Sequence, residues 1–249
     1  ITSKTTRTPT NIKVMKKTKD FDFKQFSIYG GLSGMPVSTD GVLLGAWTNL
    51  ENAASLLDIG TGTGLLSLMC AQCHLSLTIE AIDIDDNAIE AASINFARSP
   101  WAQRLTLHQG DVLTYQFPKQ VDRIICNPPY FNTGEQASNI SRATARHTDT
   151  LTHQALLARC QQLLTSQGKA SFVLPKVEGD LFIQLAAEQG WHLSRRCQIK
   201  PTERKEVTRL LIELTKTATT TIEESLTIHS DGGYSDAFID LTKDFYLKM

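Results

Sequence analysis

The sequence predicts an α/β domain: a mostly parallel sheet of seven strands, the last of them antiparallel, with helices on both faces. Three observations carry this prediction. From Ser55 onward, short apolar runs alternate with helically spaced segments across short links, and that alternation calls for crossover helices over a parallel sheet. A loop with glycine at every second position joins the first strand to its helix. Only KPTERK separates the last two strands, too little for a crossover helix, so those two pair antiparallel.

The elements follow in order. FDFKQFSIYGGLSGMPVSTDGVLLGAW predicts a small hairpin and a short helix, forming an N-terminal extension over residues 21–52. ASLLDIG is the first core strand, and GLLSLMCAQCH its helix. LTIEAIDI is the second strand, followed by the helix DDNAIEAASINFARS, with Asp85 and Asp86 as N-cap candidates. RLTLHQG and VDRIICN are strands. LTHQALLARCQQLLTSQG reads as a helix closed by Gly168, KASFVLP as a strand, and EGDLFIQLAAEQG as a helix closed by Gly190. WHLSRRCQI and EVTRLLIELT complete the sheet. TKTATTTIEES reads as a Thr-rich loop and SDAFIDLTKDFYLKM as a terminal helix. Residues 21–249 therefore form one domain, preceded by a basic segment, 1–20, expected to be disordered, within which Met15 is an alternative start.

Composition narrows the function classes. Of 249 residues, 41% are hydrophobic and 20% charged, which is ordinary globular composition. A net charge of −1 excludes global basicity, so any nucleic-acid contact rests on local patches. No apolar run reaches the roughly 20 residues of a membrane span, and no hydrophobic stretch follows the basic start as a secretory signal requires. The five cysteines, Cys70, Cys73, Cys126, Cys160 and Cys197, form no regular framework. Cys70 and Cys73 lack a second ligand pair for a metal and read as small buried thiols. Reduced cysteines fit a cytoplasmic protein.

The glycine loop, LLDIGTGTGLL, places Gly60, Gly62 and Gly64 between strand and helix. Glycine there permits positive φ and close approach of the backbone to a ligand. The dinucleotide fingerprint G-x-G-x-x-G does not fit, and there is no G-x-x-x-x-G-K-[ST] phosphate loop. The pattern D-x-G-x-G-x-G resembles that of Rossmann-like class I methyltransferases, which use S-adenosyl-L-methionine and release S-adenosyl-L-homocysteine. The resemblance implies a role for three carboxylates at successive strand ends. Asp58 faces the amino-acid ammonium, Asp83 accepts from the ribose hydroxyls, and Asp111 contacts the adenine amine. Any one of them alone reads as a helix cap; three together at the C-terminal edge of a parallel sheet point to a ligand.

IICNPPYFN raises a second question, because stability does not ask for Asn127-Pro128-Pro129-Tyr130 after an apolar strand. An exocyclic amine on a base, or an amide nitrogen, is a poor nucleophile because its lone pair is delocalised. The Asn127 side-chain oxygen and the Pro128 carbonyl can accept its two hydrogens and aim the lone pair. Pro128 and Pro129 stiffen the loop, and the Tyr130 ring can stack on a planar substrate. Asn127 also counts among the expected cofactor-binding residues. No metal is called for, since the histidines lack ligand spacing.

The N-P-P-Y motif is shared by families that modify adenine N6 in DNA or RNA, guanine N2 in ribosomal RNA, and the glutamine amide of release factors. PVSTDGVLLGAW, SPWAQRL and YSDAFIDLTKDFYL together resemble the tRNA(Val) (adenine-37, N6)-methyltransferase family, from about Phe21 to the end. The resemblance implies a tRNA substrate met at its anticodon loop, no obligatory protein partner, and Thr39 and Asp40 near the cofactor. Candidate RNA contacts are Lys16, Lys17 and Lys19, then Arg142, Arg146 and His147, then Arg195, Arg196, Lys200, Arg204 and Lys205, the last two groups expected to flank the catalytic edge. A single-stranded base turns into a pocket at little cost. The alternatives are a ribosomal RNA or protein-glutamine methyltransferase using the same loop, and a cofactor-binding but inactive partner subunit. A nicotinamide oxidoreductase is disfavoured by the glycine spacing.

Overall fold

The computed structural model describes residues 17–129 and 151–248. A two-stranded hairpin, β1 (Phe21–Asp22) and β2 (Ser27–Ile28), and a helix, α1 (Thr39–Trp47), precede the core. The core runs β3 (Ser55–Ile59), α2 (Leu65–Cys73), β4 (Thr78–Asp83), α3 (Asp86–Arg98), β5 (Leu105–Gln109), β6 (Val121–Cys126), α4 (His153–Leu163), β7 (Leu164–Pro175), α5 (Lys176–Glu188), β8 (His192–Thr202) and β9 (Arg209–Thr215). Then follow β10 (Ile222–Ser230), β11 (Gly233–Tyr234) and α6 (Asp236–Thr242).

The sheet has nine strands in the order β11-β10-β8-β9-β7-β6-β3-β4-β5, two more than expected. β9 is antiparallel to both β7 and β8, as its short link to β8 demands, and β3 to β7 are parallel. The added strand β10 lies parallel to β8, within and beyond the segment expected to be a Thr-rich loop. Its polar sequence conceals it: β10 lies beyond the core strands, half-buried and exposed along its length, with Glu223 and Glu224 paired to arginines of β8.

Both faces of the inner strands are buried, as parallel strands covered by helices must be. Alternation along the strands divides the core. Ile124, Phe172 and Leu174 pack with Leu156, Cys160 and Phe182 of α4 and α5. Ile125 and Val173 pack with Leu43, Leu44 and Trp47 of α1, Cys70 of α2 and Phe238 of α6. A third cluster, Phe23, Phe26, Ile28, Met69, Phe96 and Phe245, seats the hairpin on α2 and α3.

Two helix ends show how local signals fared. Gly190, at φ 83°, closes α5; its N–H donates to the Ala187 carbonyl and that of Trp191 to Ala186, the paired bonds of a Schellman motif. Gly168 does not close α4. That helix stops at Leu163 because Leu164 already pairs with Val121 of β6, while Lys216 donates to the Gln161 and Leu164 carbonyls. Cys73, read as a buried thiol, is exposed, whereas the other four cysteines are buried.

Candidate active site

Register places the site. Ile59, last residue of β3, pairs with Cys126, last residue of β6, so Gly60 and Asn127 leave adjacent parallel strands side by side. Such strands lie about 4.8 Å apart. The glycine loop and the Asn-Pro-Pro turn therefore open onto one crevice at the C-terminal edge of the sheet.

Gly60, Gly62 and Gly64 have φ of 68°, 58° and 84°. Gly60 is exposed and an added Cβ would meet nothing within 4 Å, so the loop leaves room for a ligand there. Gly64 is constrained by packing: a Cβ would lie 2.5 Å from the Phe96 ring.

The three carboxylates hold this loop in different ways. Asp58 is fully buried beneath it. Its Oδ2 accepts from the Thr61 hydroxyl at 2.7 Å, the Ser67 hydroxyl at 2.7 Å and the Ser67 N–H at 3.1 Å. Oδ1 has no hydrogen-bond partner, leaving one oxygen for an ammonium. Burial pushes the Asp58 carboxyl up to about 6, against the lowering effect of those bonds. Asp83 accepts from the Gly62 N–H at 2.8 Å and the Asp85 N–H at 3.0 Å. Burial raises its carboxyl, opposed by these backbone donors. Asp111, half-buried, accepts from the Leu113 N–H at 2.9 Å and opens a turn. Each carboxylate thus shapes a loop at the crevice. An orphaned buried oxygen and an open glycine cradle fit a cofactor bearing an ammonium.

Thr39 and Asp40 begin α1, where Ser38 is the N-cap. Asp40 accepts from Arg209 of β9 at 2.8 Å, tying the N-terminal extension to the same sheet edge. Asn127 and Pro129 are half-buried and Pro128 buried. Tyr130, Arg142, Arg146, His147 and Lys16 lie outside the described residues.

The basic run divides. Lys200 lies in the last part of β8, opposite Thr227 of β10, and so is a strand residue and not a loop residue. Arg204 and Lys205 are exposed on the connection to β9, at the edge that carries Asn127. Arg195 and Arg196 do not flank that edge. They lie within β8, paired across β9 and β10. Arg195 packs 4.2 Å from the Trp47 ring centre and pairs with Glu224 at 3.1 Å, and Arg196 pairs with Glu223 at 2.9 Å. Both are sheet residues, corrected from loop contacts. Lys17 and Lys19 are exposed beside the hairpin.

Sequence reasoning missed three supports. Buried Asn95 of α3 donates to the carbonyls of Tyr29 and Thr63 and accepts from the Tyr29 N–H, joining the hairpin to the glycine loop. Arg159 of α4 donates to the Val112 and Tyr115 carbonyls at 2.9 and 2.5 Å, and so clamps the Asp111 turn. Arg209 holds Asp40. Each is a polar side chain within a helix or strand, with no local signal of its distant partner.

A glycine loop at the centre of a mostly parallel sheet, beside an Asn-Pro-Pro turn, is the arrangement of a class I methyltransferase. The family model "Methyltransferase small domain" matches residues 41–180. A tRNA1(Val) (adenine(37)-N6)-methyltransferase of Vibrio vulnificus is 62% identical over 233 residues, covering 94% of this chain and 98% of the relative. The chain belongs to the tRNA1(Val) (adenine(37)-N6)-methyltransferase family. Solved structures agree in fold: a predicted O-methyltransferase of Agrobacterium tumefaciens matches with TM-score 0.64 at 15% identity, over 83% of this chain and 96% of that one. A glycopeptide N-methyltransferase complexed with S-adenosyl-L-methionine matches with TM-score 0.50 at 13% identity, over 66% and 82%. Among the described residues no helix is long and apolar enough to cross a membrane, and no side-chain group could hold a metal ion.

Proposed function

We propose that this chain methylates N6 of adenine 37, next to the anticodon of valine tRNA, and meets that RNA at its anticodon loop. The observation that carries the proposal is the register that sets Gly60 beside Asn127: a methyl-donor cradle and an amine-holding loop share one crevice. S-adenosyl-L-methionine, when bound, supplies an electrophilic methyl group on a sulfonium. Asp58 Oδ1, Asp83 and Asp111, with Gly60, Gly62 and Gly64, would hold it, and Thr39 and Asp40 would cover it.

The chain's own part is alignment. The Asn127 side-chain oxygen and the Pro128 carbonyl accept the two N–H hydrogens of the adenine amine and draw its lone pair out of the ring. Pro128 and Pro129 keep that carbonyl in place. The attacking nitrogen becomes cationic and loses its proton to water, so no strong base is needed, and the barrier is mostly one of orientation. Tyr130 supplies a stacking ring. Lys200, Arg204 and Lys205 meet phosphates from the sheet edge, and Lys17 and Lys19 from the hairpin side. A cytoplasmic location follows from the substrate.

Transfer of labelled methyl to unmodified tRNA, with ribosomal RNA and release factor as parallel substrates, tests this proposal through nucleoside mass spectrometry. N6-methyladenosine confined to valine tRNA is the expected result. Label in ribosomal RNA or protein would overturn the choice of substrate, and no label at all, with cofactor bound, would favour an inactive partner subunit.

A further inference from the structure

Beside the N-terminal hairpin lies a groove of about 470 Å³ that is separate from the cofactor crevice, lined by Phe23, Lys24, Phe26, Tyr29, Asn95 and Arg98 among others. Its floor is aromatic. Phe23 and Phe26 stack 4.7 Å apart and are both buried, and Tyr29 is half-exposed. Its rim is cationic: Lys24 and Arg98 are both exposed, and no carboxylate is among the lining residues. Arg98 and Lys17 both flank the Tyr29 ring, at 5.8 and 5.0 Å from its centre. Lys17 is also paired with Asp20 at 3.3 Å, and Lys24 donates to the Lys243 carbonyl at 2.6 Å, so Arg98 is the cation on this rim with no short ion pair or carbonyl partner among the described residues.

A partly exposed ring between cations, over an uncharged floor, suits a nucleotide: the ring stacks on a base and the cations neutralise the phosphates on either side. The groove is also tied to the crevice. Asn95 lines it and bonds to Thr63 of the glycine loop, and the chain leaving Tyr29 reaches Met35, whose side chain lies against Gly62.

We propose that this groove binds an unpaired nucleotide of the substrate RNA at a distance from the target adenine, with Tyr29 as the stacking ring and Lys24 and Arg98 as phosphate contacts. The proposal rests on the chain acting on RNA, as set out above. It adds a second point of hold, so that a small catalytic domain of net charge −1 grips a polyanion without global basicity.

The test measures tRNA binding in the presence of S-adenosyl-L-homocysteine across a salt series, together with methylation kinetics. For Lys24→Gln combined with Arg98→Gln, the plot of log affinity against log salt should flatten by about one to two units, and the KM for tRNA should rise about tenfold. The kcat and the affinity for S-adenosyl-L-homocysteine should stay within about twofold of wild type. Tyr29→Ala should raise KM about tenfold, with Tyr29→Phe restoring it, because stacking needs the ring and not the hydroxyl. An unchanged salt slope and KM, or lowered thermal stability alone, would overturn the proposal. If wild-type enzyme binds tRNA but labels none, the functional reading fails while the salt slope still decides the groove.

Discussion

The Asp83 carboxylate accepts the Gly62 N–H at 2.8 Å, so the side chain expected at the ribose also holds the glycine loop from the neighbouring strand. Its backbone carbonyl accepts from Gly110 at 2.9 Å, which makes the end of β4 the hinge point of two loops. Asp83→Ala removes the proposed ribose contact and leaves the Gly62 N–H without its partner, a cost of about 1–3 kcal/mol. Calorimetry should show the affinity for S-adenosyl-L-homocysteine reduced by about tenfold or more, with a lower melting temperature. Unaltered affinity would remove Asp83 from the site.

Asp58 stores instability at the centre of the cradle. Burial raises its carboxyl from 3.8 to about 6, so the folded chain holds this proton more tightly than the unfolded chain. Stability from this group is therefore fullest below pH 3.8 and is lost as pH rises through about 6; the loss is about 3 kcal/mol in all. Asp58→Asn should raise the melting temperature at pH 8 while weakening cofactor binding, since a neutral amide no longer attracts an ammonium. In wild type, cofactor affinity should fall as pH drops below 6, where the acid is protonated. A pH-independent affinity between 5 and 8 would contradict this role.

Asn127→Ala should leave cofactor affinity near wild type and lower kcat by about 100-fold or more, the loss expected when an orienting acceptor is removed from the reacting group. Single-turnover methylation of tRNA separates the chemical step from binding. Wild-type turnover would end the catalytic assignment.

Arg159 bonds the two carbonyls that frame the Asp111 turn and reaches them from the helix that follows the Asn-Pro-Pro segment. Arg159→Met keeps an unbranched apolar stem but loses the guanidinium and with it both bonds. The cofactor KM should rise several-fold with kcat little changed, and exchange of the amide hydrogens over residues 111–115 should quicken. A melting temperature lowered with no change in KM would make Arg159 a structural residue only.

What was legible locally and what was not can be followed in particular residues. Gly190 announced the end of α5 because a positive φ after a helix is a backbone demand that glycine meets. Gly168 carried the same letter but no such demand; strand pairing of Leu164 ended α4 earlier. β10 was hidden because a strand outside the core need not be apolar. Arg195 and Arg196 read as RNA contacts at the sheet edge because nothing local shows that β9 and β10 bring Glu213, Glu223 and Glu224 beside them.

The sequence by itself determined the glycine loop, the Asn-Pro-Pro turn after an apolar strand, the parallel core of the sheet and the reversal of β9. Each is set by residues close in the chain, through φ preference, side-chain periodicity or link length. Only the tertiary structure decided that β3 lies against β6, so that Ile59 meets Cys126 and Gly60 emerges next to Asn127. It alone chose the partners of Asn95, Arg159 and Arg209. Strand order and long-range hydrogen bonds are settled by which arrangement buries both faces of the sheet and satisfies its polar groups, and that balance belongs to the whole chain and not to any stretch of it.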